Sequence, residues 1–433
     1  MAIFYIDPTA ASGGDGSLAA PFNSWTAVTW TAGNSYLQKC DTVYNGSVGR
    51  ITISATGTIT SPIILSSYGE GKRPVLDGGF TRDVGIFATN HSDIQISNFE
   101  IRNYTTAGIQ CGSSGNDSSI IRRIVVDNVW VHSITGGTQG NIAGIKWWGG
   151  QVRITNTLIE KVEEDGIWCD GQNVTLTNVT IRNISYKNTG FGDCVQFGGT
   201  RCSGLIIEKC HMDHLNNDDK QIIVLAGSLE TAATFQIRDN VLTSISSGAG
   251  CVSIDCVTDP AGGAVFERNI VISNRGLRYA NADTNGRNII CKNNLFVAIT
   301  DGITSTSATA FLSLVGKAYN NTVVGFYRGI EVSSGEVKNN VFYNIGDFDY
   351  NASVGGNIAN NCYWNVGRHA PSQEGSNNIN VDPKLNVNYY PLANSPLINA
   401  GVFVQYDRDL SSYFKSNPPS MGAYEYTTPR GVR

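Results

Sequence analysis

The stretch DGIWCDGQNVTLTNVTIRNI, residues 165–184, holds three short strand patterns in succession. They are GIWCD (166–170), VTLTN (174–178) and VTIRNI (179–184). In each pattern apolar residues alternate with polar ones, which is the period of a strand with one buried face. The connections between the patterns are too short for a crossover helix, which argues against a doubly wound α/β fold.

The same three patterns recur along the chain. The first returns as GIQCG (108–112), GIKWW (144–148), CVQFG (194–198), QIIVL (221–225), CVSID (251–255) and GIEVS (329–333). The second returns as IQISN (94–98), IVVDN (124–128), VRITN (152–156), LIIEK (205–209) and FQIRD (235–239). The third returns as FEIRNY (99–104), VWVHSI (129–134), TLIEKV (157–162), CHMDHL (210–215) and VLTSI (241–245).

Each repeat unit is therefore roughly 20 to 30 residues long and carries three strands. One unit cannot bury its apolar face alone, whereas stacked units can. Three strands per turn, stacked in register, predict an all-β fold, a parallel β-helix. About nine or ten turns fit between residues 60 and 365.

Composition supports a strand-rich fold and excludes several kinds of partner. Gly is abundant at 48 residues and charged residues make up only 15%. The formal net charge of −5 predicts no nucleic-acid partner. The chain has no run of about 18 apolar residues, so no membrane partner is expected. The opening MAIFYIDPTAASGG (1–14) lacks the basic and apolar regions of a signal peptide.

Asn and Cys recur at fixed places in the repeats. Asn ends the second strand at residues 98, 128, 156 and 178, and similar places hold Asn240, Asn269, Asn294, Asn321 and Asn340. Stacked amides can hydrogen-bond along the axis, and Asn tolerates the left-handed conformation of a sharp turn. The alignment also predicts one inward column of Cys111, Cys169, Phe197, Val224 and Ile254. The ten cysteines are expected to be reduced core residues.

With this repeat, the chain resembles the right-handed parallel β-helix superfamily of pectate lyase-like and polygalacturonase-like proteins. FYIDPTAASGGDGSLAAPFNSW (4–25) looks like the opening cap strand of that superfamily, and MGAYEY (421–426) looks like its closing segment. The resemblance implies a right-handed single-stranded helix with an N-terminal cap and opening coils (1–60), a body with the binding groove (61–365) and a closing segment (366–433). It further implies a phage tailspike-type depolymerase, a homotrimer located on the virion or outside the cell.

One column of the alignment is polar at three consecutive turns. The residues that precede the first strand are Ala107, Ala143, Asp165, Asp193, Lys220 and Gly250. Adjacent strands lie ~4.8 Å apart, so Asp165, Asp193 and Lys220 are expected to form a wall. Neighbouring carboxylates push their pKa values apart, which can give a site both an acid and a base. These three residues are the candidate catalytic groups.

The polygalacturonase family carries its catalytic motifs in this same frame, as NTDG, GDDC and GHG on successive turns. EEDG (163–166) resembles the first motif and GFGDC (190–194) the second. The resemblance implies that Asp165 activates water and that Asp193 is the general acid. Gly192 replaces the first Asp of the second motif and Lys220 replaces the His. A substrate other than polygalacturonate is therefore expected.

Outward positions beside this wall suit a sugar. Lys146, Trp148, Trp168, Asp170 and Gln196 are the candidate substrate-binding residues. Trp148 and Trp168 are expected on the surface, where exposed aromatic rings stack on sugars. Lys146 suits an acidic sugar. Trp147 is expected in the core.

Three functions remain open at this point. The first is hydrolysis of a bacterial surface glycan, a capsule or O-antigen, by paired Asp residues, without a cofactor. The second is β-elimination of a uronic-acid polymer with Lys220 as base and Ca²⁺ as charge neutraliser. The third is a non-catalytic adhesin. The loop carboxylates Glu163, Glu164, Asp218 and Asp219 are expected to be solvated, although together they could hold Ca²⁺, and His132, His211 and His214 are expected to be structural.

Overall fold

A computed structural model describes most of the chain. The described residues are 1–45, 50–112, 121–187, 192–199, 203–215, 220–227, 234–245, 250–254, 263–279, 289–299, 309–352, 357–368, 375–405 and 407–427. The chain divides into an N-terminal unit (1–217 and 226–230) and a C-terminal unit (218–225 and 231–433). No helix in the described part of the chain is long and apolar enough to cross a membrane.

The described residues of the N-terminal unit form nineteen complete strands and one 3-10 turn over Trp25–Ala27. The strands are β1 Ile3–Ile6, β2 Ser35–Lys39, β3 Val43–Tyr44, β4 Ile51–Thr52, β5 Ile63–Tyr68, β6 Val75–Ala88, β7 Ile94–Ser97, β8 Glu100–Cys111, β9 Ile121–Asp127, β10 Trp130–Ile134, β11 Ala143–Trp148, β12 Gly150–Thr155, β13 Leu158–Val162, β14 Asp165–Asp170, β15 Val174–Thr177, β16 Thr180–Ile184, β17 Val195–Gly199, β18 Leu205–Glu208 and β19 His211–His214.

The strand pairings among the described residues of this unit are parallel, and most strands pair with the strand three places later. β10 pairs with β13, β11 with β14 and β12 with β15, so three strands make one turn. The ladder of second strands already begins at β1, which pairs with β2 and leads through β5, β7 and β9 to β12. The prediction of an all-β parallel β-helix with three strands per turn is confirmed.

The corners after the second strand of each turn share one design in the N-terminal unit. Asn98, Asn128, Asn156 and Asn178 have φ of 64°, 54°, 51° and 55°, the left-handed region that Asn tolerates. Their amides bond along the outside of the stack, as when Asn128 Nδ2 donates to Asn98 Oδ1 (2.7 Å) and Asn178 Nδ2 donates to Asn156 Oδ1 (2.7 Å). The residue after each Asn is buried: Phe99, Val129, Thr157 and Val179.

The C-terminal unit repeats the three-strand turn. Its strands are β20 Ile223–Gly227, whose last two residues belong to the N-terminal unit, β21 Phe235–Arg238, β22 Val241–Ser244, β23 Val252–Ile254, β24 Ala264–Glu267, β25 Ile270–Ser273, β26 Leu277–Tyr279, β27 Ile289–Lys292, β28 Leu295–Val297, β29 Thr309–Tyr319, β30 Thr322–Val324, β31 Arg328–Lys338, β32 Val341–Ala352, β33 Asn357–Ala359, β34 Cys362–Arg368 and β35 Ile379–Asn380. Pairings such as β21 with β24 and β22 with β25 are again parallel.

The asparagines of the C-terminal unit occupy a different corner position. Here the left-handed residue is the one before the recurrent Asn, for example Asn293 (φ 56°) before Asn294 and Asn320 (φ 54°) before Asn321. The recurrent Asn points inward and is fully buried. The buried amide ladder comprises Asn240, Asn269, Asn294, Asn321, Asn340 and Asn361, and the half-buried Asn378 continues it. The predicted hydrogen-bonded stacks of Asn amides are present in both units, but the recurrent Asn of the C-terminal unit lies one residue later in its corner.

Asn294, inside the ladder, has a complete set of partners. Asn294 Nδ2 donates to Asn321 Oδ1 (3.0 Å) and to the carbonyl of Phe266 (3.0 Å). Its Oδ1 accepts from the backbone N–H of Asn269 (2.9 Å) and from Asn269 Nδ2 (3.1 Å). Buried polar groups must be hydrogen-bonded, and this repeating arrangement meets that requirement at turn after turn.

Residues 375–427 run along the side of the C-terminal unit and cover its corners. Asn339 Nδ2 donates to the carbonyl of Val402 (2.8 Å), and Asn293 Nδ2 donates to Asp407 Oδ2 (2.7 Å). Ala423 and Tyr424 pack with the buried Leu295. We call residues 375–427 the C-terminal strap.

The strand register of the C-terminal unit corrects part of the sequence alignment. Ile223 pairs with Val252, Val224 with Ser253 and Leu225 with Ile254. The alignment had placed Val224 beside Ile254, so it is one residue out of register here. In the N-terminal unit the predicted inward column is correct for Cys111, Cys169 and Phe197, and Trp147 fills the turn between the first two.

Candidate active site

The candidate site lies where the first strands of three N-terminal turns stack. Asp165 pairs with Ala143, and Trp168 pairs with Lys146 on one side and Gln196 on the other. Trp147 and Cys169 pair on the inward face. The sequence alignment thus has the correct register throughout this part of the stack.

A glycine at the strand entrance explains why Asp165 faces out. A Cβ on Gly166 would lie 2.6 Å from Ile181 Cγ2, inside the filled core, and 2.6 Å from the carbonyl oxygen of Cys194. Gly166 and Ile167 therefore both face inward, which breaks the alternation and turns the preceding residue outward. Only glycine fits there, because no side chain can share the space with Ile181.

Asp165 and Asp193 are joined across neighbouring turns. The backbone N–H of Asp193 donates to Asp165 Oδ1 (2.8 Å), and the backbone N–H of Gly166 donates to the Asp193 carbonyl (2.9 Å). Each Asp residue is only 8% exposed. Burial, followed by the charge of Asp193, raises the pKa of Asp165 well above its ordinary value.

The residue before Asp193 is held in a conformation that requires glycine. Gly192 has φ of 126°, and a Cβ there would lie 2.7 Å from Ser185 Cβ and 2.8 Å from the carbonyl oxygen of Glu164. The buried His214 donates from Nε2 to the Gly192 carbonyl (2.8 Å). The paired Asp of the polygalacturonase motif therefore has no room here, and His214 has the structural role that was expected.

Lys146 lies close to this pair. It is 4% exposed, and its ammonium donates to both the carbonyl (3.0 Å) and the side-chain oxygen of Asn141. Burial lowers the pKa of Lys146, an effect that the charges of Asp165 and Glu164 oppose.

The two tryptophans pack on each other. Their ring centroids lie 4.7 Å apart at 49°, and Lys146 Nζ lies 5.6 Å from the Trp148 ring centroid. Trp168 is half-buried, but Trp148 is only 8% exposed, so the prediction that Trp148 stands on the surface is wrong. The buried Arg122 guanidinium donates to the Trp148 carbonyl and fixes its backbone, a contact that strand alternation does not reveal.

These residues enclose a cavity of about 340 Å³. Its lining includes the predicted Lys146, Trp148, Asp165 and Trp168, together with Gln110 and Asn141. Asp193 is not among the lining residues, but its backbone N–H bonds to Asp165, which is. Asp170 and Gln196 follow the same strands but are not part of the lining. Asn141 had been missed, because it lies in a loop outside the repeat.

Lys220 remains only a predicted member of the wall. It belongs to the C-terminal unit, where the register of β20 and β23 is shifted by one residue from the alignment that set Lys220 beside Gly250. The stretch QIIVL is apolar at four successive positions, so its sequence does not fix its register.

The nearby loop carboxylates are structural rather than solvated. Glu164 is buried, and its two oxygens accept from the backbone N–H groups of Gly140 (2.6 Å) and Ile142 (2.7 Å). Glu163 accepts from the N–H of Gly136 (2.7 Å) and pairs with Lys187 (3.1 Å). Asp218 and Asp219 lie outside the described residues. Among the residues that the structure describes, no group of three or more His, Cys, Asp or Glu side chains could hold a metal ion.

Two of the three comparisons with known proteins give no match, since no protein-family model and no curated protein matches this chain. Among solved structures, XylC in complex with xylose is similar over 98% of both chains, with 10% identity and a TM-score of 0.54. The pectate lyase Pel9A has 17% identity over 99% of this chain and 97% of its own, with a TM-score of 0.44.

A third solved structure is the GH136 lacto-N-biosidase from Eubacterium ramulus. It has 13% identity and a TM-score of 0.45, and the match covers 69% of this chain. The matched part spans 64% of the length of that enzyme. At these identities the likeness concerns the fold.

Proposed function

We propose that this protein degrades a polysaccharide by hydrolysing glycosidic bonds, with Asp165 and Asp193 as its catalytic carboxyl groups. The observation that carries the proposal is their placement on neighbouring turns, joined by the bond from the Asp193 N–H to Asp165 Oδ1, beside a cavity with two tryptophans. Glycosidases use such a pair of carboxyl groups flanking the scissile bond.

We assign the acid role to Asp165, because its raised pKa keeps it protonated where an ordinary Asp is ionised. Asp193 then acts as the carboxylate that attacks the sugar or activates water. This assignment reverses the one that the polygalacturonase motif implied. Neighbouring turns lie ~4.8 Å apart, which is nearer the ~5–5.5 Å of retaining enzymes than the ~6.5–9.5 Å of inverting ones.

The test compares the wild-type protein with Asp165→Asn and Asp193→Asn on a panel of capsular and O-antigen polysaccharides. We expect new reducing ends with the wild type and a loss of roughly 10²–10⁴-fold in kcat/KM for each variant. Asp83→Asn is the control, because that aspartate is exposed and pairs with Arg50 outside the cavity. Equal activity of Asp165→Asn and the wild type would refute the assignment.

A lyase is the second candidate, and the state of Lys146 favours it. A lysine whose pKa is lowered by burial is closer to accepting a proton at neutral pH, which β-elimination from a uronic acid needs. In this reading Lys146 or Lys220 would be the base. Ca²⁺ would neutralise the uronate charge, but the described residues hold no set of three or more His, Cys, Asp or Glu ligands for it. Products that absorb in the ultraviolet would identify this chemistry. Binding without any cleavage would instead identify an adhesin.

The biological setting is part of the proposal. The resemblance to tailspike depolymerases supports a homotrimer on a phage virion or outside the cell, acting on a capsule or O-antigen. Size-exclusion chromatography with light scattering measures the oligomeric state directly. A monomer would refute the tailspike proposal and leave the proposed roles of Asp165 and Asp193 unchanged.

A further inference from the structure

The ammonium group of Lys146 is buried without an ion pair. A lysine has three N–H donors, and two acceptors of Lys146 are the neutral oxygens of Asn141. Among the described residues, no carboxylate oxygen lies within 4.0 Å of its Nζ. A buried charge normally needs such a partner.

The nearest carboxylates are already bound elsewhere. Both oxygens of Glu164 accept backbone N–H groups of the loop at Gly140 and Ile142, and Asp165 Oδ1 accepts the Asp193 N–H. Asp165 and Glu164 therefore influence Lys146 only through space. A protonated Asp165 would reduce even this compensation, which leaves the Lys146 charge at the cavity wall largely unbalanced.

We propose that the cavity binds a sugar residue that carries an oxyanion substituent, a carboxylate or a sulfate, and that Lys146 pairs with it. The proposal rests on the proposed function and names its substrate class. The partly exposed Trp168 ring gives the sugar an apolar face to pack on, and Gln110 offers amide groups to its hydroxyls. A ligand oxyanion supplies the ion pair that the protein leaves open.

The experiment measures binding of defined oligosaccharides to the full chain by calorimetry. The probes are oligomers of galacturonic and glucuronic acid, their carboxyl-reduced counterparts, and sulfated galactose oligomers. We expect an acidic probe to bind about 10- to 100-fold more tightly than its neutral counterpart, the equivalent of one charge-assisted hydrogen bond. The uronate and sulfate arms distinguish the two oxyanions.

Lys146→Met should abolish that preference while leaving the weaker binding of neutral probes. Lys72→Met is the matched control, because Lys72 is exposed and does not line the cavity. If Lys146→Met does not fold, the salt dependence of the wild type replaces it, since only the acidic probes should weaken as NaCl rises.

Equal affinity for acidic and neutral probes, or no binding of any acidic probe, would overturn the inference. So would a Lys146→Met variant that keeps the preference. Cleavage of a neutral glycan that depends on Asp165 would overturn it and leave the proposed hydrolase standing. Tight binding of an acidic probe with no cleavage of any glycan would support the oxyanion site and refute the proposed hydrolase.

Discussion

The two units use asparagine at their corners in opposite ways. In the N-terminal unit Asn156 itself takes the left-handed conformation, bonds to its neighbours on the surface, and is followed by a residue that fills the core. In the C-terminal unit Asn293 takes the left-handed conformation, and the side chain of the following Asn294 is buried in the core. The difference shows that a one-residue shift can turn a surface amide into a buried ladder.

The two designs have different weaknesses. A buried amide ladder depends on every member, because an unsatisfied buried group loses its hydration with no compensation. An apolar corner depends instead on volume, because the core is close-packed. Corner substitutions should therefore destabilise the C-terminal unit through lost hydrogen bonds and the N-terminal unit through altered core volume.

The largest effect is expected from Asn294→Ala. This change removes the acceptor of the Asn269 N–H and Nδ2 and the donor to the Phe266 carbonyl, all of them buried. We expect a loss of about 3–5 kcal/mol in the free energy of unfolding. Guanidinium denaturation measures it, and a loss below about 1 kcal/mol would mean that the ladder is not what stabilises this unit.

The next effect is expected from Gly166→Ala in the N-terminal unit. The added Cβ would meet Ile181 Cγ2 and the Cys194 carbonyl at 2.6 Å, so the core must shift at a cost of about 1–3 kcal/mol. Activity should fall with stability, since Asp165 is the adjacent residue. Gly198→Ala is the control, because its Cβ would meet only ordinary contacts at 3.8 Å or more. Similar losses in both variants would contradict the volume argument.

A smaller loss is expected from Asn156→Ala. The amide is exposed, so mainly the left-handed backbone is penalised, by about 1–2 kcal/mol. Asn156→Gly should recover most of that loss in the same denaturation experiment, because glycine adopts this conformation freely. If glycine is as harmful as alanine, the surface amide bonds matter more than the conformation.

The smallest effect is a gain in stability. Because the pKa of Asp165 is raised, the folded protein holds this proton more tightly than the unfolded chain does, and the free energy of unfolding falls as pH rises above 3.8. Asp165→Asn should therefore be more stable than the wild type at pH 7, by about 0.5–2 kcal/mol, and the gain should shrink as pH falls toward 4.

Asp93→Asn should change the free energy of unfolding at pH 7 in the opposite direction. The Arg123 guanidinium, which donates to Asp93 Oδ2 (2.6 Å), lowers the pKa of that carboxyl. Its contribution is present at pH 7 and is lost as pH falls through the lowered pKa, so this variant should be less stable at pH 7. If both variants change the free energy of unfolding in the same direction at pH 7, the pKa argument is refuted.

Alternation in the sequence predicted the fold and the strand register of the candidate site, because the N-terminal turns have one apolar face and a glycine at a fixed place. Asp165, Lys146 and Trp168 followed from that register. The register around Lys220 could not be fixed in this way, because Ile222 to Leu225 are all buried and a slip of one residue leaves the pattern unchanged. The burial of Trp148 depends on Trp168 and Arg122 in other turns, and pattern reasoning within one strand does not see such contacts.

The C-terminal strap has a consequence for the order of assembly during synthesis. Its contacts join residues far apart in sequence, such as Ala423 with Thr322 and Asp407 with Asn293, separations of 101 and 114 residues. The turns that it covers are translated first and have no cover until the strap has been made. Because long-range contacts form late, the corner amides of Asn293 and Asn339 stay open to water, or to another chain, during that interval.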